Sequence, residues 1–352
     1  ADPTVPARAR EPDPLRKDVG VRDVPDVPFR GWDPPDYRVD ASGKVVGAAP
    51  GTPNNWGRFG DDDQLGLANL FTPERVAAAA RLIRTGKRFS LALPIGPRTP
   101  GGYRAEPAHL YRFAAGDGVL GGGRGGAAYQ VSDDYVFMAL QASTQVDGFG
   151  HVGGGDTLYN GFWAGLVTAS AGARRLGIHQ LAGGLVGRAV LLDIARRAGV
   201  EHLAPGFPVG PDELDGAARA QHVAIEAGDI VLVRTGHIGW KLSLGADDPN
   251  VSRRDEPGIS TRAIPWLHEH DVAMIATDTA ACSVVPPEAG DEFLTWHVAA
   301  LRDLGLLVGE LFDLDELADD CASDGVYEGF FVAAPMPIVG ASGSPLNPIL
   351  MK

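Results

Sequence analysis

Asp229-Ile230-Val231-Leu232-Val233-Arg234-Thr235-Gly236-His237 is a run of β-branched and aliphatic residues that ends in a cation, a hydroxyl and a glycine. Too short for a buried helix and bounded by turn residues, it predicts a fully buried strand that empties into a loop. Similar runs occur at Tyr135–Ala142, Ala189–Ile194, Val272–Thr277 and Phe330–Ala334, and Phe89–Ile95 also reads as a strand. Helical segments lie between them. Thr72-Pro73-Glu74 opens one with a capping hydroxyl, a proline in the first turn and an early acid. Pro211-Asp212-Glu213-Leu214 opens another, Thr261 caps a third through Ile264, Leu267 and His268, and Val298–Leu304 and Leu314–Ala322 follow. Strands mixed with helices define an α/β protein. With no repeat and no internal linker, the simplest organisation is one domain over 51–352, preceded by an extended Pro-rich arm over 1–50. The Gly-rich stretch from Pro97 to Gly126 is expected to be a long loop, either a lid or a surface insertion.

The chain has 352 residues with 31 Lys+Arg against 45 Asp+Glu, a formal charge of −14. That sign excludes a nucleic-acid backbone or an anionic membrane surface as the natural partner and leaves a small-molecule substrate. The uncharged stretch Gly329–Met351 contains Pro335, Pro337, Pro345 and Pro348, too many for a membrane helix. No apolar signal core opens the sequence, and the expected compartment is the cytoplasm. Cys282 and Cys321 cannot build a disulfide scaffold, although a single bridge is open to them. Neither a Gly-x-Ser-x-Gly elbow nor a phosphate loop is present, and Gly121–Gly126 lacks the dinucleotide fingerprint.

Three clusters carry candidate chemistry. Gln141-Ala142-Ser143-Thr144-Gln145-Val146-Asp147-Gly148-Phe149-Gly150-His151 places an Asp and a His four apart where the chain leaves a strand. Such a pair suits a divalent metal with a general base, or else an Asp that caps its own turn beside an ordinary His. His297, at the start of a helical stretch, and Glu310, on the next element, would complete a metal shell, or would be a helix-start His and an exposed acid. Arg234 lies at a strand end, where ligands collect in α/β sheets, or it neutralises a buried carboxylate such as Asp278.

In order and identity these clusters resemble the metal-dependent cyclase-like hydrolases, the superfamily of bacterial kynurenine formamidase and isatin hydrolase. Trp56–Gly66, Gly187–Asp193 and the closing Gly343-Ser344-Pro345-Leu346-Asn347-Pro348 agree with it, so that the resemblance spans about residues 55–350. It implies a swivelling β/β/α fold that associates as homodimers or homotetramers, with the 1–50 arm suited to reach across subunits. The family motif is His-x-Gly-Thr-His-x-Asp-x-Pro-x-His. Asp147 and His151 match it, whereas Gln141 and Gln145 stand where the formamidases keep histidines. An amide offers a weaker donor than imidazole, so one metal position should be lost. The resemblance therefore implies one weakly held divalent ion, Zn or Mn, on Asp147, His297 and Glu310 with Gln145 as fourth donor. It gives His151 the proton transfer. Arg234 or His237 is expected to orient a substrate carboxylate or oxyanion, with Gln141 also on the substrate side. The function expected is hydrolysis of a cyclic amide, formamide or lactone-type bond by metal-activated water. The alternatives are a cyclase or dehydratase of natural-product biosynthesis that stabilises an enolate, and a non-catalytic ligand-binding relative.

Overall fold

In a computed structural model the described residues are 35–96, 104–116, 131–245 and 247–352. The chain folds around one nine-stranded mixed sheet. Its order is Arg88–Ser90, Ile349–Met351, Glu328–Ala333, Leu185–Asp193, Ile230–Arg234, Met274–Thr277, Leu307–Glu310, Gln145–Asp147, Gly343–Pro345. The central strands Leu185–Asp193, Ile230–Arg234, Met274–Thr277 and Leu307–Glu310 run parallel, and antiparallel strands flank them on both sides. Parallel strands are covered on both faces, which is why Ile230–Val233 is continuously aliphatic instead of alternating. Ile230, Val231, Leu232 and Val233 are all fully buried.

The helices follow local chemistry. Thr72 Oγ1 accepts from the Arg75 amide ahead of helix Pro73–Ala79. Pro211–Ala220 begins where the Glu213 carboxylate accepts the Gly210 amide. The expected cap at Thr261 sits one residue earlier: Ser260 Oγ accepts the Arg262 amide, and a short 3-10 turn Thr261–Ala263 leads into helix Ile264–Glu269. The compact unit runs from Tyr37 to Lys352. Residues 37–50 pack with it through the Lys44↔Phe162 bridge and the Trp163 Nε1 donation to Tyr37. The rest of the Pro-rich arm, residues 1–34, lies outside the described residues, as do 97–103 and 117–130 of the expected loop.

Two expectations are corrected. Part of the expected loop is a strand, Ala108–Phe113, which pairs antiparallel with Asp133–Phe137. The run expected as a buried strand over Tyr135–Ala142 is the second arm of that hairpin and then a turn. Its strand residues are all exposed, Phe137 to 81%. Composition marks a strand but not whether anything covers it. Cys282 and Cys321 are both free and buried. No helix among the described residues is long and apolar enough to cross a membrane.

One polar network ties the sheet to its loops. Arg188 donates to Glu328 at 2.6 Å, to buried Asp229 at 2.7 Å and to the Ala224 carbonyl. Replacing Arg188 by Met strands the Asp229 carboxylate in the interior, and breaking such a pair costs about 3–5 kcal/mol. Urea denaturation at pH 7 is expected to show that loss, and Asp229→Leu added to it should recover a large part. Equal stability of wild type and the single variant would show that the network contributes nothing.

Candidate metal centre

The site is assembled at the edge of the parallel set. Gln145–Asp147 pairs antiparallel with Leu307–Glu310, with Gln145 opposite Glu310 and Asp147 opposite Val308. Side chains alternate faces along a strand, so Gln145, Asp147 and Glu310 share one face. Val146, on the other face, is core. Gly309 sits where a Cβ would meet Ala276, Met274 and Phe312 at 2.8 Å, so only glycine brings the strand this close. After Asp147 the chain turns at Gly148, whose amide donates to the Ser342 carbonyl and whose own carbonyl accepts from the His151 amide. A Cβ at Gly148 would lie 2.9 Å from that Ser342 oxygen. This turn returns His151 to Asp147, with Nε2 3.7 Å from Oδ1.

His297 arrives from another direction. Leu294 adopts the left-handed region at φ 72° and starts the turn Thr295–His297, which passes into a π-helical stretch, Val298–Leu304. Both features are departures from ordinary backbone that recur at functional sites. His297 Nε2 comes within 3.3 Å of Glu310 Oε1. Asp147, His297 and Glu310 each offer a ligand atom within 4.8 Å of the others, and all three are buried.

The donors fit a cation. Both Asp147 carboxylate oxygens, His297 Nδ1 and Gln145 Oε1 are buried without a hydrogen-bond partner, and orphaned buried polar groups are costly. Gln145 Nε2 donates to Glu310, and its carbonyl oxygen is buried without a partner. Burial pushes Asp147 up to about 6, with the Glu310 charge adding and His151, His297 and Arg104 opposing. Burial likewise raises Glu310 to about 8 against the pull of Arg104 and Gln145. Burial lowers His297, which keeps it a neutral imidazole. An N/O set of this kind suits a hard or borderline divalent ion.

Carboxyls with raised native pKa values stabilise the metal-free fold at low pH, and that contribution is lost as pH rises through about 6 and about 8. A divalent ion needs the same groups deprotonated. The rise in Tm on adding Zn or Mn is therefore expected to be larger at pH 8.5 than at pH 6. A rise of equal size at both values would remove Asp147 and Glu310 from the ligand set.

The other expected site residues fall elsewhere. Arg234 is the cross-strand partner of Asp193 in the parallel register and is bound to it at 3.1 Å and to Asp315 at 2.7 Å. Its guanidinium is committed to that pair of carboxylates, which corrects the substrate-side assignment. Asp278 is not its partner either: it accepts from the Thr235 amide and hydroxyl and from the Gly236 amide. Gln141 is turned toward Ser342 Oγ at 3.3 Å and does not join the donor group. His237 is buried with both ring nitrogens unpartnered, Nε2 lying 3.9 Å from Glu256, and burial holds its pKa down to about 4. Two groups carry no sequence signal at all. Arg104 acts on Asp147, His297 and Glu310 from the segment before strand Ala108–Phe113. Glu256 is pushed up to about 7, first by burial and in part by the Glu310 charge.

The fold and site place the chain in a known class. The Cyclase family model matches residues 82–283, more than half of the chain, and the chain belongs to that family. A crystal structure described as a novel cyclase is 42% identical, with a TM-score of 0.79 over 85% of this chain and 97% of that one. Isatin hydrolase A from Ralstonia solanacearum is 19% identical with a TM-score of 0.56, covering 80% of this chain and 98% of its own. Isatin hydrolase A from Labrenzia aggregata, bound to benzyl benzoate, is 22% identical with a TM-score of 0.53, covering 75% and 93%. At these identities the two hydrolases show a shared fold. No curated protein matches the chain.

Proposed function

We propose that the chain is a metal-dependent hydrolase of a cyclic amide, formamide or lactone-type bond, with one divalent ion held by Asp147, His297, Glu310 and the Gln145 carbonyl oxygen. The observation that carries this is the convergence of three buried ligand groups, Asp147, His297 and Glu310, with ligand atoms within 4.8 Å of one another, beside a histidine that reaches solvent. When bound, such an ion polarises a carbonyl and brings the pKa of water toward neutrality.

The residues of the chain do the rest. The side chain of His151 is 26% exposed and lines a glycine-walled cleft formed by Gly150, Gly153, Gly154 and Gly155. It therefore faces Asp147 on one side and water on the other, which is the placement a group needs to take a proton at Nε2 and exchange it with solvent. Asp147 Oδ1 stands 3.7 Å from that nitrogen, close enough for its charge to favour the protonated ring. Gln145 fixes one Glu310 oxygen and leaves the other toward His297. The dry surroundings of Asp147 and Glu310 strengthen every charge interaction made there.

The test is a panel of formanilides, cyclic imides, isatin-type lactams and aryl lactones, offered to the Zn- and Mn-loaded protein with product followed chromatographically. Turnover of at least one amide or lactone, abolished by chelation, is expected. The 42% identical neighbour described as a cyclase favours a second reading, in which the site closes or dehydrates a ring. Failure of the whole panel in protein that retains its metal would favour that reading.

A further inference from the structure

The cleft that His151 lines has room for more than water. It holds about 430 Å³ of space that solvent can enter, within the range of small-molecule sites. Leu158, Ala164 and Val167 give it an apolar wall, and His151 lines it with Nε2 3.7 Å from Asp147. A ligand in the cleft therefore lies one side chain away from the metal donors. Part of the lining is a two-residue turn. Gly154 and Thr157 exchange both backbone hydrogen bonds, and between them Gly155 and Asp156 adopt φ 55° and 60°. Two central residues at positive φ make the tight hairpin turn, which fixes both residues in place. A Cβ at Gly155 would meet nothing within 4 Å, so the space beside the turn is open.

Asp156 is exposed and lines the cleft. Asp tolerates the left-handed region because its short side chain can bond the local backbone. This carboxylate does not: it has no hydrogen-bond or ion-pair partner among the described residues. Asp156 and His151 are the two ionisable residues among those that line the cleft. Arg302 passes behind the wall, its Cδ 3.8 Å from where a Gly154 Cβ would lie. Its guanidinium donates to Thr157 Oγ1, to Asp303 and to the Ala49 carbonyl, and so does not neutralise Asp156. An unneutralised carboxylate beside an apolar wall favours a cationic ligand and disfavours an anionic one.

We propose that the glycine-walled cleft is the substrate-binding site and that Asp156 sets its specificity, so that the preferred substrate is an amide or lactone with a compact apolar body and a protonated amine or amidine. The body packs on Leu158, Ala164 and Val167, the cation meets Asp156, and the scissile carbonyl lies beside His151. The inference deepens the hydrolase reading and rests on it for the bond that is cleaved. Asp156 touches no reacting atom in this arrangement. It ranks substrates by charge and sets amine-bearing amides ahead of their carboxylate analogues.

The test uses two probes of the same shape that differ by one charge, benzamidinium and benzamide, titrated calorimetrically into the metal-loaded full chain at pH 7. Benzamidinium is expected to bind more tightly. Asp156→Asn suits the same backbone and removes the charge, and the ratio of the two affinities should fall about two- to fivefold, the size of one exposed ion pair. Ala164→Phe fills the cleft from its apolar wall and should abolish binding of both probes. No binding of either probe, an unchanged ratio in Asp156→Asn, or full binding in a folded Ala164→Phe overturns the proposal. Should Ala164→Phe fail to fold, the Asp156→Asn ratio decides alone. An aminomethyl formanilide and its unsubstituted parent carry the same contrast into turnover. If both are hydrolysed with the same ratio of kcat/KM in wild type and Asp156→Asn, the cleft assignment falls and the hydrolase stands. If neither is turned over while the probes behave as stated, the cleft stands and the hydrolase reading falls.

Discussion

Replacing Asp147 by asparagine is expected to abolish metal uptake and to lower turnover by about 10³-fold or more, while the protein stays folded. Asp147 is 1% exposed, and neither oxygen has a hydrogen-bond partner. Burial, with the Glu310 charge adding to it, raises its pKa to about 6, so at pH 8 the metal-free fold carries a buried carboxylate. Asparagine removes the charge, so the metal-free variant should melt no lower than the metal-free wild type at that pH. Asparagine also removes an anionic donor from the set of Asp147, His297 and Glu310. Lewis-acid stabilisation is worth several kcal/mol, and each 1.36 kcal/mol is tenfold in rate. Melting curves with and without Zn, together with metal analysis after dialysis, separate the two effects. One tightly held metal in the variant would show that Asp147 is not a ligand.

The second large effect concerns His151. Its change to alanine is expected to reduce turnover about 10²–10⁴-fold, the range for general acid–base groups, and to leave metal occupancy near that of wild type. Geometry separates the roles. His151 Nε2 is 3.7 Å from Asp147 and lines an open cleft, whereas His297 is 4% exposed and stands 3.3 Å from Glu310. Metal lost in proportion to activity would make His151 a ligand and dissolve the division.

The central sheet was legible because burial on both faces leaves a composition signature. Ile230–Val233 and Ala189–Leu192 are short aliphatic runs bounded by charged residues. The exposed hairpin was misread because Asp133–Phe137 has the same β-branched and aromatic content without a cover. At the site, Asp147, His297 and Glu310 gave weak signals singly. Their order gave a stronger one through its resemblance to the cyclase-like hydrolases, whereas the antiparallel pairing of Gln145–Asp147 with Leu307–Glu310 joins residues far apart in the chain and left no local signal. Arg234 misled for a definite reason: a strand-end cation looks the same in sequence whether it faces a ligand or the next strand. Here Asp193 lies opposite it in register. Arg104 and Glu256 act from segments without a motif, and only the fold brings their charges near the donors.

Anomalous diffraction from crystals grown with Mn tests the central claim most directly. One ion per chain is predicted, coordinated by Asp147, His297 and Glu310 and completed by the Gln145 carbonyl oxygen. Two ions at full occupancy, or an ion bound away from these residues with the three donors left bare, would contradict the account.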